Sequence, residues 1–355
     1  MVFVLVDFQI KELIKQNKLN SNIFDLNKYV QPASIDLPIG EYAYLVKEKV
    51  LPHNKTINEI LLTSTIEKIS LKNGSILLKG QTYLIPSINL NLGDNYFATT
   101  SPKSSIGRID LKVRTIFDNY GLYDSIPKST NAKLFLEVTP QSFNIKLCSG
   151  LALTQLMIFE NSENTQKIDF KKEKLIFDEN SKLLENKTYK NSLILSLNLK
   201  NNQFIGYEAI STNDIIDIEK ISQYDSENFF RKIYSKNRKI TLDKDKFYIL
   251  TTKEKISIPH NLSAEMIPFS HIIGELRAHY AGFFDPGFGY FNNSTNQGTI
   301  GVLEIRPHET ISIYDGQPIC LMDFFRNKSI PKFPYGQSNN NYFNQQGPKL
   351  AKYFK

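Results

Sequence analysis

The chain has no tryptophan, two cysteines, four methionines and five histidines in 355 residues. Cys148 and Cys320 are far apart and form no CxxC pair, which excludes a disulfide framework; both are expected as reduced core thiols of a cytoplasmic protein. His53, His260, His271, His279 and His308 show no zinc-site spacing, so no zinc and no protein-held metal is expected. No apolar run is long enough to cross a bilayer, and the opening MVFVLV stops at Asp7, too early for a signal-peptide core, so no membrane partner is expected. Long basic runs are missing too, which leaves nucleic acid without direct support as a partner. The net charge of +7 is explained equally well by a lysine-rich solvated surface and by an electrostatic funnel for phosphorylated ligands.

What is present is aromatic and strand-forming. The hydrophobic share is 41%, with 24 Phe and 18 Tyr, and the length accommodates two domains with cores. Ile10, Leu13 and Ile14 mark a short helix that Asp7 can cap, ending at Asn17. Short segments rich in Val, Ile, Leu, Phe and Tyr follow, broken by Gly, Pro, Asn and Asp: EYAYLV, GSILLKGQTYLIP, KLFLEV and FNIKL, then KFYILTT, GTIGVLEIRP and TISIYDG. Many short strands with regular turn signals predict an all-β sandwich or barrel.

The chain also repeats itself. SPKSSIGRIDLKVRTIFD, Ser101 to Asp118, aligns without a gap with PFSHIIGELRAHYAGFFD, Pro268 to Asp285. Gly107 falls on Gly274, Asp118 on Asp285, Glu137 on Glu304 and Pro140 on Pro307, all at one offset. Each copy keeps what the other lacks. The first has a basic, hydroxyl-rich loop of Lys103, Ser104, Ser105 and Arg108; the second has Glu275 in place of Arg108 but carries Asp285-Pro286-Gly287. Hydroxyls, a glycine that admits backbone N–H groups and a forked guanidinium suit a phosphate chain, whereas a glutamate there would repel it. Taken alone, such a loop is an ordinary turn; the complementary losses single it out. Residues 161–190 read as a polar seam with apolar islands such as Leu175-Ile176-Phe177, and SIDL, Ser34 to Leu37, is echoed by SLNL, Ser196 to Leu199.

QPASIDLPIG (Gln31 to Gly40), KSSIGR (Lys103 to Arg108), AGFFDPGF (Ala281 to Phe288), VLE (Val302 to Glu304) and NYFNQQG (Asn341 to Gly347) together resemble the motif set of dCTP deaminases of the trimeric dUTPase superfamily, in their long, two-copy form. The resemblance implies two tandem dUTPase-like distorted jelly-roll barrels of the β-clip type with a few short helices. Repeat 1 would span 1–160, the seam 161–190, repeat 2 191–330, and a tail closing over the nucleotide 331–355. It implies hydrolysis of dCTP to dUTP and ammonia in a homo-oligomer, with magnesium carried by the triphosphate. By position, Glu304 matches the glutamate that shuttles protons between water and the leaving amine, a task one carboxylate can perform. Ser104 and Arg108 match residues organising the water and phosphate side, and Ala281 an alanine whose backbone lies beside the water. Lys103, Ser105, Ile106 and Gly107 complete the triphosphate loop. Asp285, Val302 and Leu303 match sugar and base positions, and Tyr335 and Gln345 match tail contacts.

Two departures stand out. The family's tail has a lysine shortly before the glutamine, where this chain has Asn339-Asn340-Asn341, and the loop opens on Lys103 where single-copy enzymes carry arginine. The zinc-dependent route of base deamination is excluded, since no H-x-E precedes a P-C-x-x-C. His279 is expected to pack or hydrogen-bond near the site. Glu137, without a proline-glycine turn nearby, reads as a relic or a structural hydrogen-bonding group. Three other functions compete: a dUTPase or bifunctional deaminase-diphosphatase, a nucleotide sensor without catalysis, and a structural jelly-roll protein. Retention of Glu304, Ser104 and Arg108 weighs against the last two.

Overall fold

Short β-branched and aromatic segments between turn residues become strands, and the two halves use them in the same order. A computed structural model of the chain describes residues 2–162, 168–200, 203–267, 282–291, 297–337, 342 and 345–355. It is mostly β with few helices. In the first half, Ile35–Pro38 pairs with Ala152–Asn161, which pairs with Tyr96–Pro102. In the second, Ser192–Ser196 pairs with Pro318–Arg326, which pairs with Leu262–Ile267. Facing these sheets, Tyr42–Val46, Thr82–Asn91 and Asn131–Pro140 lie side by side, as do Phe204–Ala209, Tyr248–Ile256 and Thr299–Ile305. The strand Ser192–Ser196 ends where the SLNL echo begins, so the echo is displaced from the structural equivalence.

Each half buries its own apolar cluster, around Ile88 and Leu156 in the first and Leu250 and Leu303 in the second. A third cluster belongs to both: Ile39, Tyr83, Leu136 and Phe143 pack with Phe229, Phe247, Val302 and Phe354. Asn144–Leu147 of the first half runs parallel to Ile215–Asp217 of the second. The first half's Asp110, held by Ser142, makes an ion pair with Arg306 just beyond the strand Thr299–Ile305. In the seam, Leu175, Ile176 and Phe177 are buried, and Ile176–Phe177 pairs with Lys255 and Ile256.

Two local expectations are corrected. The helix spans Asp7–Lys15, with Ile10 and Leu13 buried, but its cap is Val6, whose N–H donates to the Gln9 side chain. Asp7 is the first helical residue and its carboxylate accepts the backbone N–H groups of Lys332 and Phe333, so it anchors the tail. Cys320 is a buried thiol, whereas Cys148 is half-buried, with its thiol 2.8 Å from Glu219 and its pKa pushed up to about 11, chiefly by desolvation. The tail is pinned at both ends. Tyr335 N–H donates to Pro286 O at 2.8 Å, and farther on Tyr353 and Phe354 are buried in the shared cluster, with Phe354 bridging Tyr224.

Candidate active site

Strand alternation aims the second half's contribution. On Thr299–Ile305, Leu303 faces the second-half core while Val302 and Glu304 reach a cavity of about 280 Å³ between the halves. The first half supplies one helical turn, Ser104–Gly107, closed by N–H groups of Ile106 and Gly107 on the Lys103 carbonyl at 2.8 and 3.0 Å. Ile106 and Gly107 are buried in the turn, and Lys103, Ser104, Ser105 and Arg108 line the cavity. Asp285, Tyr335 and Gln345 line it as well. Of the residues singled out in the sequence, Leu303, Ile106 and Gly107 bring no side chain to the cavity, and Ala281 lies outside the described residues, as do Glu275, His271 and His279.

Arg108 is the hub. Its Nε lies 3.6 Å from Glu304 Oε1, and Nη1 and Nη2 each lie 3.2 Å from Gln345 Oε1. Nη1 also donates to the Lys349 carbonyl at 2.9 Å, and the guanidinium sits 3.8 Å from the centroid of the Tyr342 ring. Gln345 in turn donates to Ile300 O at 2.6 Å. Matched in the sequence to the water and phosphate side of the site, it has its Nη groups on the tail and its Nε beside the carboxylate. Loop and carboxylate meet within one chain.

Burial governs the acids. Glu304 is 5% exposed, and desolvation pushes its pKa up to about 8 against the pull of Arg108 and its own backbone N–H. Asp285 is pushed up to about 7 by burial, with the Ala33 N–H at 3.3 Å and Lys103 acting in the other direction and Asp36 reinforcing the rise. The Tyr335 phenol is raised by burial and by Asp285. Gly287 adopts φ +102, and a Cβ there would lie 2.5 Å from Tyr335 O, so the Asp-Pro-Gly turn can abut the tail only with glycine. Glu137, equivalent to Glu304, accepts a hydrogen bond from Tyr123 at 3.1 Å, and Asp118, equivalent to Asp285, accepts one from Ile57 N–H at 2.6 Å. Both relatives of the site residues are thus used as structural acceptors.

Sequence reasoning left several wall residues unassigned. Gln31, Phe283, Phe284, Phe288 and Tyr342 sit inside motifs already quoted, which was the available signal. Gln155, Met266 and Lys352 lie outside them. Behind the wall, Asp36 pairs with Lys103 and accepts from Gln31 at 3.2 Å. Among the described residues no three His, Cys, Asp or Glu side chains gather as a metal site, and no helix is long and apolar enough to cross a membrane.

Comparison with known proteins bears on this arrangement. Residues 2–162 match the family model of the 2'-deoxycytidine 5'-triphosphate deaminase N-terminal domain, and 161–354 that of the C-terminal domain. A curated relative from Pseudarthrobacter chlorophenolicus, "dCTP deaminase, dUMP-forming", is 30% identical over 129 residues, which cover 32% of this chain and 63% of the relative. The chain therefore spans less than two thirds of that relative's length. A crystal structure of 2'-deoxycytidine 5'-triphosphate deaminase from Agrobacterium tumefaciens superposes with a TM-score of 0.84 at 31% identity, over 93% of this chain and 99% of that one.

Proposed function

The chain belongs to the 2'-deoxycytidine 5'-triphosphate deaminase family, and from that premise we propose that it converts dCTP and water to dUTP and ammonia with Glu304 as the proton carrier. The observation that carries the reading is the buried Arg108–Glu304 pair in a cavity shared by the two halves. Water adds to C4 of cytosine, the C4–O bond forms, and the C4–N bond to the amino group breaks. One water proton ends on N3 and the other on the departing nitrogen. A carboxyl with a pKa near neutrality can accept the first and return it without a large mismatch in either direction. Arg108 keeps the ionised form of Glu304 within reach and fixes its orientation, while Gln345 and Tyr342 hold Arg108. Asp285 is suited to the sugar, since a half-protonated carboxyl both donates and accepts hydrogen bonds. Phe283, Phe284 and Phe288 supply apolar wall for the base. Ser104, Ser105 and Lys103 face the phosphates, Ala281 is assigned to the water, and Val302 and Leu303 to the base through the strand backbone.

Magnesium is expected to arrive with the triphosphate and offset its charge. The carboxylates beside the cavity already have protein partners: Asp36 has Lys103, Asp285 has the Ala33 N–H and Glu304 has Arg108. The finer fold reading, two tandem jelly-roll barrels of the dUTPase kind with a seam between them, is supported by the repeated pairing order of the two halves. A homo-oligomer remains part of the proposal, to be checked by light scattering.

Incubation with dCTP, followed by separation of dUTP, dUMP and substrate, tests the function. Formation of dUTP with release of ammonia is expected; an untouched nucleotide pool defeats the reading. Direct appearance of dUMP and pyrophosphate would favour the second reading, a bifunctional deaminase-diphosphatase, which the name of the Pseudarthrobacter relative supports.

A further inference from the structure

Lys352 lines the same cavity as Lys103 and Arg108, and no motif of the sequence gives it a part. Its backbone is fixed on both sides. The N–H donates to the Tyr342 hydroxyl at 3.3 Å, and the carbonyl accepts the Ser222 N–H at 2.9 Å. The following residue, Tyr353, is 2% exposed, and its hydroxyl hydrogen-bonds Ser105 of the loop turn. This lysine is therefore held at the wall beside the hydroxyl loop, with little ordering left to do when a ligand arrives.

Charge balance points to the ligand. Desolvation and the neighbouring Lys103 both lower the pKa of Lys352, with Asp36 acting in the opposite direction. Two ammonium groups thus share one carboxylate, and that carboxylate is already paired with Lys103. Among the described residues Lys352 has no ion-pair partner of its own. Arg108 is partly engaged already: its Nη groups donate to Gln345 and the Lys349 carbonyl, and its Nε lies 3.6 Å from Glu304.

We propose that Lys352 binds the phosphate chain of the nucleoside triphosphate from the tail side, together with Lys103 and the hydroxyl loop. A chain carrying three to four negative charges relieves the repulsion between the two ammonium groups and gains from both. The assignment rests on the deaminase reading for the identity of the nucleotide, but not for the existence of a polyphosphate site.

The test is calorimetric binding of dCTP, dCMP and inorganic tripolyphosphate to the parent protein, Lys352→Gln and Lys352→Arg. The Lys352 contacts that fix the segment are backbone ones, so the variants should fold; Lys352→Met serves if the glutamine form does not. For Lys352→Gln, dCTP should bind about tenfold to a hundredfold more weakly, the worth of one charged hydrogen-bonded contact. Tripolyphosphate binding should fall with it, dCMP should change by less than about threefold, and arginine should restore most of the loss. Unchanged dCTP and tripolyphosphate affinity overturns the assignment, as does equal weakening of dCTP and dCMP, or a parent that binds neither dCTP nor tripolyphosphate. A parent that binds dCTP without deaminating it removes the deaminase reading alone. A parent that deaminates dCTP while the glutamine form binds it equally well removes Lys352 alone.

Discussion

At the scale of single residues, the decisive contrast lies between two glutamates of the same local sequence. Glu304 is buried beside a guanidinium, and Glu137 is buried beside a phenol. Glu304→Gln should leave the melting temperature near or above the parent's and reduce kcat roughly 10²- to 10⁴-fold, the usual worth of a positioned proton carrier. Glu137→Gln should stay within a few-fold of the parent, and steady-state assays of both variants check the pair. Titration gives a second, independent handle. With the Glu304 pKa near 8, the free enzyme should show kcat/KM rising with pH through that region, well above an ordinary glutamate. In Arg108→Gln the acid-stabilising burial remains while the opposing charge is gone, so the rising limb of the residual activity should move to higher pH. The same shift has a stability side. A carboxyl whose folded pKa is raised holds more protons folded than unfolded, so its contribution is full below the unfolded value near 4.5 and is lost as pH climbs through about 8. Glu304→Gln should therefore gain in melting temperature over the parent at pH 9 more than at pH 5. The sequence singled out Glu304, Arg108, Ser104 and Gln345 because they stand in motifs that resemble a family's, and all four line one cavity. It could not show that Arg108 turns to Glu304 and the tail, since that choice depends on which side chains fill the cavity between halves.

At the scale of elements, the tail is the least legible. Its composition is polar, aromatic and turn-rich, and its end is anchored in a core, with Tyr353 and Phe354 2% and 6% exposed. Those two aromatics are followed and preceded by lysines, so no run of apolar residues announces that they belong to a core. Phe354 makes edge contacts with Phe229 and Phe230, with ring centroids 5.5 and 5.4 Å apart. Phe354→Ala should cost about 3 kcal/mol of stability, in the range for large-to-small aromatic changes in a core. A free flap would show no such loss, and denaturant unfolding of the variant distinguishes the two. The strands themselves were legible: KLFLEV lies within Asn131–Pro140 and GTIGVLEIRP contains Thr299–Ile305, because alternation and β-branching survive in a single sequence. The helix at Asp7–Lys15 was legible by its face but not by its cap, as a carboxylate at a helix start can equally hold a distant segment.

At the scale of the whole molecule, the two halves share a core and a buried ion pair. Arg306 and Asp110 join across the halves, with side chains 14% and 0% exposed. Removing the guanidinium leaves a carboxylate buried with Ser142, and breaking such a pair costs about 3–5 kcal/mol. Arg306→Ala should accordingly lower the unfolding midpoint strongly, and turnover should fall with it, because the strand bearing Glu304 loses its tie to the loop bearing Arg108. Since loop and carboxylate meet within one chain, co-refolded mixtures of Arg108→Ala and Glu304→Gln should remain inactive in a dCTP assay; recovered activity would place the working pair between chains. The internal repeat, read from residues alone, anticipated that the halves divide the site. It gave no sign of the shared cluster, many of whose members, such as Phe143, Phe229 and Phe247, lie outside the motifs.

The contacts around Asp7 carry a consequence in time. Val4 bridges Asn327, the Lys328 N–H reaches Val4 O, and Asp7 receives Lys332 and Phe333. During synthesis the strand Val2–Val4 can pair once Phe159–Asn161 has been made and the helix can pack in the first half's cluster, well before the partners at 327–333 emerge. Only the Val4 and Asp7 contacts to the tail wait through the translation of the second half, at about 5–20 residues per second. Contacts this distant along the chain close late and raise the kinetic barrier to folding. That side of the opening segment therefore spends seconds to tens of seconds uncovered, the interval in which a holding chaperone would find it.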